Sequence, residues 1–149
     1  MSRRGRAFFL LGILAALAGC TTQSSVFKDR SPEQVWTALI AVAEDPQYDK
    51  WVVVDNNVWI DLMYDRLEIQ RTLKRDLHRT GSSPQRETQE LELQVVLERT
   101  QPPAVTVTVR NAIIRGKALM AIDHFIAEVR DLLYVDPEVS SQTAAAGAK

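Results

Sequence analysis

The chain has 149 residues, enough for one domain with a modest core. Its formal net charge of −1 shows no basic excess, so the electrostatic footprint of a nucleic-acid binder is missing. One cysteine, Cys20, and two histidines, His78 and His124, supply no ligand set at zinc spacing, and no metal is expected.

The first 20 residues fall into three blocks. Arg3, Arg4 and Arg6 make a positive start. Ala7 to Ala16 is apolar apart from Gly12. Leu17-Ala18-Gly19-Cys20 closes the segment with small residues. A charged flank, an apolar core and a small-residue site are the layout of a secretory leader. The apolar run is well short of the roughly 20 residues that a helix needs to cross a bilayer.

Leu17-Ala18-Gly19-Cys20 resembles the lipobox of bacterial lipoproteins. The resemblance implies cleavage after Gly19, lipidation of Cys20 and a covalent lipid as the sole prosthetic group. One acyl chain holds a protein to a membrane only marginally, whereas several on one residue anchor it stably. The next residue is Thr21. In Gram-negative lipoproteins an aspartate at that place is the familiar inner-membrane retention signal, so its absence implies the outer membrane, facing the periplasm. Removing residues 1–19 takes away three arginines and no acid. What remains has 15 basic and 19 acidic side chains, a net charge of −4. With Cys20 lipidated, no thiol is left for a disulfide, a nucleophile or a metal site.

Residues 21–30 are polar and predict a membrane-proximal linker spanning residues 20–30, reaching on the order of 15–20 Å if flexible. Ser31-Pro32-Glu33-Gln34 then predicts a helix start, with a serine cap, a proline at the first position and a capping-box glutamine. Val35, Trp36, Leu39, Ile40, Val42 and Ala43 recur at helical spacing until Asp45-Pro46. Strands follow. Val52, Val54, Val58 and Ile60 share one parity, and Leu67, Ile69, Leu73 and Leu77 share another, with a turn near Leu62–Asp65. Pairing Asp61 with Arg66 puts both sets on one face. After the apolar-free loop Thr80–Pro84, Leu91, Leu93, Val95 and Leu97 alternate with polar neighbours. Val105, Val107 and Val109 do the same beyond Gln101-Pro102-Pro103. A second helix is expected from about Lys117 to Tyr134, with Leu119, Ile122, Phe125, Ile126, Val129, Leu132 and Leu133 as its stripe. The tail 135–149 is small and polar and reads as disordered.

The predicted fold is therefore α+β. A four-stranded antiparallel meander carries an N-terminal and a C-terminal helix on one face, all within a single domain over 31–134. This order resembles the helix-grip domains of BamC-type envelope lipoproteins. It also resembles uncharacterised bacterial domains that open like Val35-Trp36-Thr37-Ala38-Leu39 and continue like Trp51-Val52-Val53-Val54-Asp55. The resemblance is one of layout and brings no catalytic motif.

An enzyme is not expected. The serines cap a helix or lie in the linker, the loop or the tail, and no Gly-x-Ser-x-Gly or phosphate loop occurs. His124 falls opposite the apolar stripe and is expected exposed, and His78 ends the second predicted strand. Arg71 has core parity and calls for either a sheet edge or a buried acid.

Two candidate sites remain. Arg110, Arg115 and Lys117 around Gly116 place cations at a helix start, where the macrodipole favours an anion. Salt bridges to nearby acids are the plainer alternative. By parity, Trp51, Val53 and Trp59 point away from the helices, with Trp59 across from Glu68, and large aromatics on a polar face suit a protein partner. The sequence thus predicts a lipid-anchored, non-enzymatic accessory or binding module. It would use its sheet face to hold an unidentified envelope protein, with no nucleic acid among its partners. Its alternative is a binder of a lipid or other amphiphile between the helices and the sheet.

Overall fold

The computed structural model describes residues 20–134 apart from 78, 79, 82, 84 and 112. The expected leader 1–19, the expected tail 135–149 and His78 lie outside the described residues.

The first helix begins where its cap predicts. Ser31 Oγ accepts from the Gln34 amide at 3.2 Å, and Gln34 Oε1 accepts from the Ser31 amide at 2.9 Å. This reciprocal pair fixes the start of α1 (Pro32–Glu44), which buries Val35, Ala38, Leu39, Val42 and Ala43. The second helix, α2 (Arg115–Tyr134), buries Ala118, Ile122, Phe125, Ile126 and Val129. Leu119 is half-buried, and Leu132 lies at the exposed margin of that stripe. Among the described residues no helix is long and apolar enough to cross a membrane.

The sheet has five antiparallel strands where four were expected. The predicted meander is present as β2 (Val52–Asp61), β3 (Arg66–Leu77), β4 (Gln85–Glu98) and β5 (Ala104–Val109). The extra strand is β1 (Thr21–Val26), which runs along β5 and makes the order β1-β5-β4-β3-β2. The segment read as a linker is thus an edge strand. Its polar residues pair across the ladder, Thr22 Oγ1 with Thr108 Oγ1 at 3.0 Å and Ser24 Oγ with Thr106 Oγ1 at 2.8 Å. Such hydroxyl pairs stabilise a sheet without any apolar alternation. Phe27, fully buried, follows β1 as a plug in the core, its amide held by the Pro103 carbonyl at 2.9 Å.

Both helices cover one face of this sheet. The core between them holds Leu67, Ile69, Leu93, Val95, Leu97, Val105, Val107 and Val109 from the strands. The register from Asp61↔Arg66 to Asn56↔Arg71 is the one predicted. It breaks at Val54, an extra residue between the pairs Val53↔Leu73 and Asp55↔Thr72. One extra residue shifts parity by one, so every side chain before the bulge changes face. Val52 and Val54, expected in the core, are 68% and 52% exposed. Val53 and Trp51 turn toward the helix side instead.

Candidate binding cleft

The hairpin formed by β3 and β4 runs on past the ends of β1 and β5. The last β5 residue, Val109, lies between Thr21 and Leu93, whereas β3 and β4 stay paired as far as Leu77↔Gln85. The helix-side face of this extension is roofed on one flank only, by the first half of α2. The segment between α1 and β2 makes the other flank. Between them lies a cleft of about 500 Å3, a size ordinary for a small-molecule site. Leu73 and Leu91 form its floor. Met120 and Ala121 come from α2, and Trp51 comes from the segment turned inward by the bulge.

The rim is charged and partly cross-linked. The Arg75 guanidinium lies over the Trp51 ring, 4.4 Å from its centre, a cation–π contact at the margin of the cleft. Arg75 Nε and Nη2 both donate to Glu87 Oε2, at 2.9 and 2.7 Å. Lys117 Nζ reaches the other oxygen, Glu87 Oε1, at 3.3 Å. The Arg75 hydrogen bonds, followed by that from Lys117, hold the Glu87 carboxyl below the usual carboxylate range. One carboxylate therefore serves two cations. Lys50 and Asp49 complete the rim.

Behind the flank from Tyr48 to Trp51 sits a polar network built on Arg71, whose side chain is buried. Its nitrogens donate to Asn56 Oδ1 at 2.8 Å, the Tyr48 hydroxyl at 2.9 Å and the Ala43 carbonyl at 3.0 Å. Asn56 Nδ2 in turn donates to the carbonyls of Ala43 and Glu44. The acceptors are neutral. The end of α1 carries no basic residue of its own, so Arg71 supplies the cation that its C-terminal carbonyls favour. Arg71 thus needs neither the sheet edge nor the direct acid partner that its sequence position called for.

Tyr48 packs against His124, ring centres 4.5 Å apart. The expectation of an exposed His124 is corrected: it is half-buried, because the Gln47–Tyr48 segment folds over it. His124 Nε2 lies 2.8 Å from the Gln47 carbonyl, and a carbonyl can only accept, so this nitrogen carries the proton. Glu128, one turn further on α2, accepts from the Gln47 amide at 2.7 Å, and its second oxygen is buried with no hydrogen-bond partner. Burial raises the Glu128 carboxyl above its ordinary value, against the opposing effects of the Gln47 hydrogen bond, His124 and Arg71. Burial likewise raises the Tyr48 phenol, so it keeps its proton. Among the described residues no serine, threonine or cysteine lines the cleft. The arrangement suits binding: an apolar slot, a cationic rim, and a flank pinned from behind.

The residues singled out by sequence fall in three places. Trp51 belongs to the cleft and Val53 is half-buried against the same face, so neither lies on the outer surface where parity placed them. Trp59 does lie there, 54% exposed and directly across from Glu68. Arg110, Arg115, Gly116 and Lys117 do not converge. Arg110 pairs with Glu68 at 3.4 Å on the outer face, Lys117 with Glu87 on the inner face, and Arg115 and Gly116 are exposed at the start of α2. Salt bridging to nearby acids is what the structure contains.

No family model and no curated protein matches the chain. Among solved structures it is similar to a protein from Chromobacterium violaceum determined by a structural genomics consortium, at 12% identity and a TM-score of 0.42. That alignment covers 76% of this chain and 96% of the other. Likeness at this level brings no argument about function.

Sequence reading missed Tyr48, Lys50, Arg75, Met120 and Ala121 as cleft residues. One signal was present. Arg75 and Glu87 share the inward parity of Leu73 and Leu91, and charged residues with core parity mark the place where a covered face opens to water.

Proposed function

We propose that this chain is a lipid-anchored envelope protein, held through Cys20 in the outer membrane and facing the periplasm. Its domain acts as a non-enzymatic binding module that takes an amphiphile in the cleft between α2 and the sheet. The observation that carries this reading is the cleft itself: about 500 Å3 over an apolar floor, with Trp51 turned into it by a bulge. Burying apolar ligand surface there yields roughly 25 cal/mol per Å2, so even a partly enclosed chain would bind usefully. The retained proton of Tyr48 and the lack of a serine, threonine or cysteine along the described lining favour binding over turnover.

The test is to fill the slot. Ala121→Phe adds a ring on the α2 side of the cleft and is expected to lower affinity for a fluorescent fatty acid at least tenfold while the unfolding midpoint stays near that of the parent. Unchanged affinity in a folded variant would remove the cleft from the account. Lipidation is tested separately, by the mass of the chain from membranes: a mature chain beginning at acylated Cys20 is expected.

A second reading rests on the outer face. Trp59 borders a shallow groove with Glu68, Gln70, Glu92 and Arg110, a setting suited to a protein partner. With Trp51 and Val53 turned inward, Trp59 carries that surface alone among the three. Loss of a co-purifying partner on Trp59→Ala would support it.

A further inference from the structure

We infer that the ligand of the cleft is a single-chain lipid anion: one acyl chain ending in one negative charge. The inference rests on the cleft reading above and adds the ligand's size, charge and source.

Size follows from volume. A cleft of about 500 Å3 falls in the range of sites that hold one small molecule, which suits a single acyl chain. Charge follows from the rim. Lys50, Arg75 and Lys117 face Asp49 and Glu87, so one positive charge is left uncompensated. Glu87 cannot neutralise both Arg75 and Lys117, and a monoanionic head group placed between Lys50 and Lys117 would complete the balance. That pairing would be charge-assisted, while a neutral head group would leave the cations as they are.

Source follows from the position of Cys20. Thr21, Val109 and Leu93 lie side by side across β1, β5 and β4. Going from Thr21 to Cys20 is the same direction as going from Leu93 to the cleft-floor residue Leu91. Two strand spacings sideways and one residue along put Cys20 about 10 Å from Leu91 in an ideal sheet. Because β1 starts one residue after Cys20, no linker separates the anchor from the domain. The acyl chains of Cys20 and the open end of the cleft therefore share one pole of the molecule. At that pole Ile114, just before α2, and Met120 on α2 are exposed. A ligand drawn from the bilayer has only a short path to the slot.

Full-length lipidated protein carrying Trp36→Phe and Trp59→Phe keeps Trp51 as its sole indole. It is reconstituted in phosphatidylcholine vesicles and titrated with dibromostearate, with its methyl ester and with dibrominated phosphatidylglycerol, bromine being a contact quencher of the indole. Dibromostearate is expected to quench Trp51 at a concentration at least tenfold lower than the ester, and phosphatidylglycerol to quench weakly. Lys50→Gln with Lys117→Gln should weaken quenching by the acid and bring acid and ester within about twofold of each other. Ala121→Phe should abolish quenching by both. Equal quenching by acid and ester in the parent would overturn the anion assignment while leaving the cleft reading intact. Phosphatidylglycerol acting as strongly as dibromostearate would overturn the one-chain limit. Quenching by none of the three, or quenching untouched by Ala121→Phe, would overturn the cleft reading itself.

Discussion

Replacing Arg71 by methionine removes the charge while keeping most of the side-chain volume. In the folded chain this strips a hydrogen bond from each of three acceptors on three elements: Ala43 at the end of α1, Tyr48 on the flank of the cleft and Asn56 on β2. A hydrogen bond to a charged group is worth about 1.5–3 kcal/mol, and each acceptor left buried and unpaired costs about 1–3 kcal/mol. Two effects reduce the sum. Asn56 still donates to the Ala43 carbonyl, and methionine avoids the cost of desolvating a cation, which can reach several kcal/mol. The balance is a loss of about 3 kcal/mol. With a urea m-value of about 1–3 kcal/mol/M, the unfolding midpoint should fall by roughly 1–3 M. Arg71→Lys should fall between, because one ammonium cannot span three separated acceptors. The assay is urea unfolding followed by far-UV circular dichroism. A methionine variant with an unchanged or raised midpoint would refute the view that Arg71 fastens α1, β2 and the cleft flank together.

Other outcomes follow from the same structure. Phe125→Ala empties a fully enclosed core position on α2 and should cost about 3–5 kcal/mol in thermal or chemical unfolding. Deleting Val54 removes the bulge and should return Trp51 to the outer face; its emission should shift to longer wavelength and the cleft ligand should be lost, while a folded deletion with unchanged emission would contradict the parity argument. Glu128 binds its proton more tightly folded than unfolded, because burial raises it. Stability should therefore decline as pH rises from the ordinary carboxylate range through its raised folded value, and Glu128→Gln should flatten that part of the pH–stability curve. Asp65 behaves the opposite way. Hydrogen bonds from Arg99 hold its carboxyl low, so its contribution is present at neutral pH and lost as pH falls through that lowered value; Asp65→Asn should remove this acid-side dependence.

Periodicity made most of the fold legible. The capping box at Ser31–Gln34, the Asp61↔Arg66 turn and the alternation in β4 and β5 are local signals, and all three appear where they were read. β1 was hidden because its stabilisation is not local. Thr22 and Ser24 pair with Thr108 and Thr106, more than 80 positions away, and no apolar alternation announces them. Matching the hydroxyl spacing of the two segments would have been the available clue. The bulge at Val54 was hidden for another reason. Trp-Val-Val-Val offers apolar residues on both parities, so pattern alone could not say which set faces inward. That single ambiguity moved Trp51 from a supposed contact face into the cleft. The cleft as a whole was not legible, because it depends on how far β3 and β4 outrun the strands beside them.

The central claim is that the cleft, and not the outer sheet face, receives the ligand. The indole N–H resonances of nanodisc-held protein test it directly, because Trp51 lies in the cleft, Trp59 on the outer face, and Trp36 against the core as an internal reference. Adding stearate should shift the Trp51 signal in a saturable way and leave Trp36 and Trp59 in place. A Trp51 signal that stays still while Trp59 moves would contradict the account.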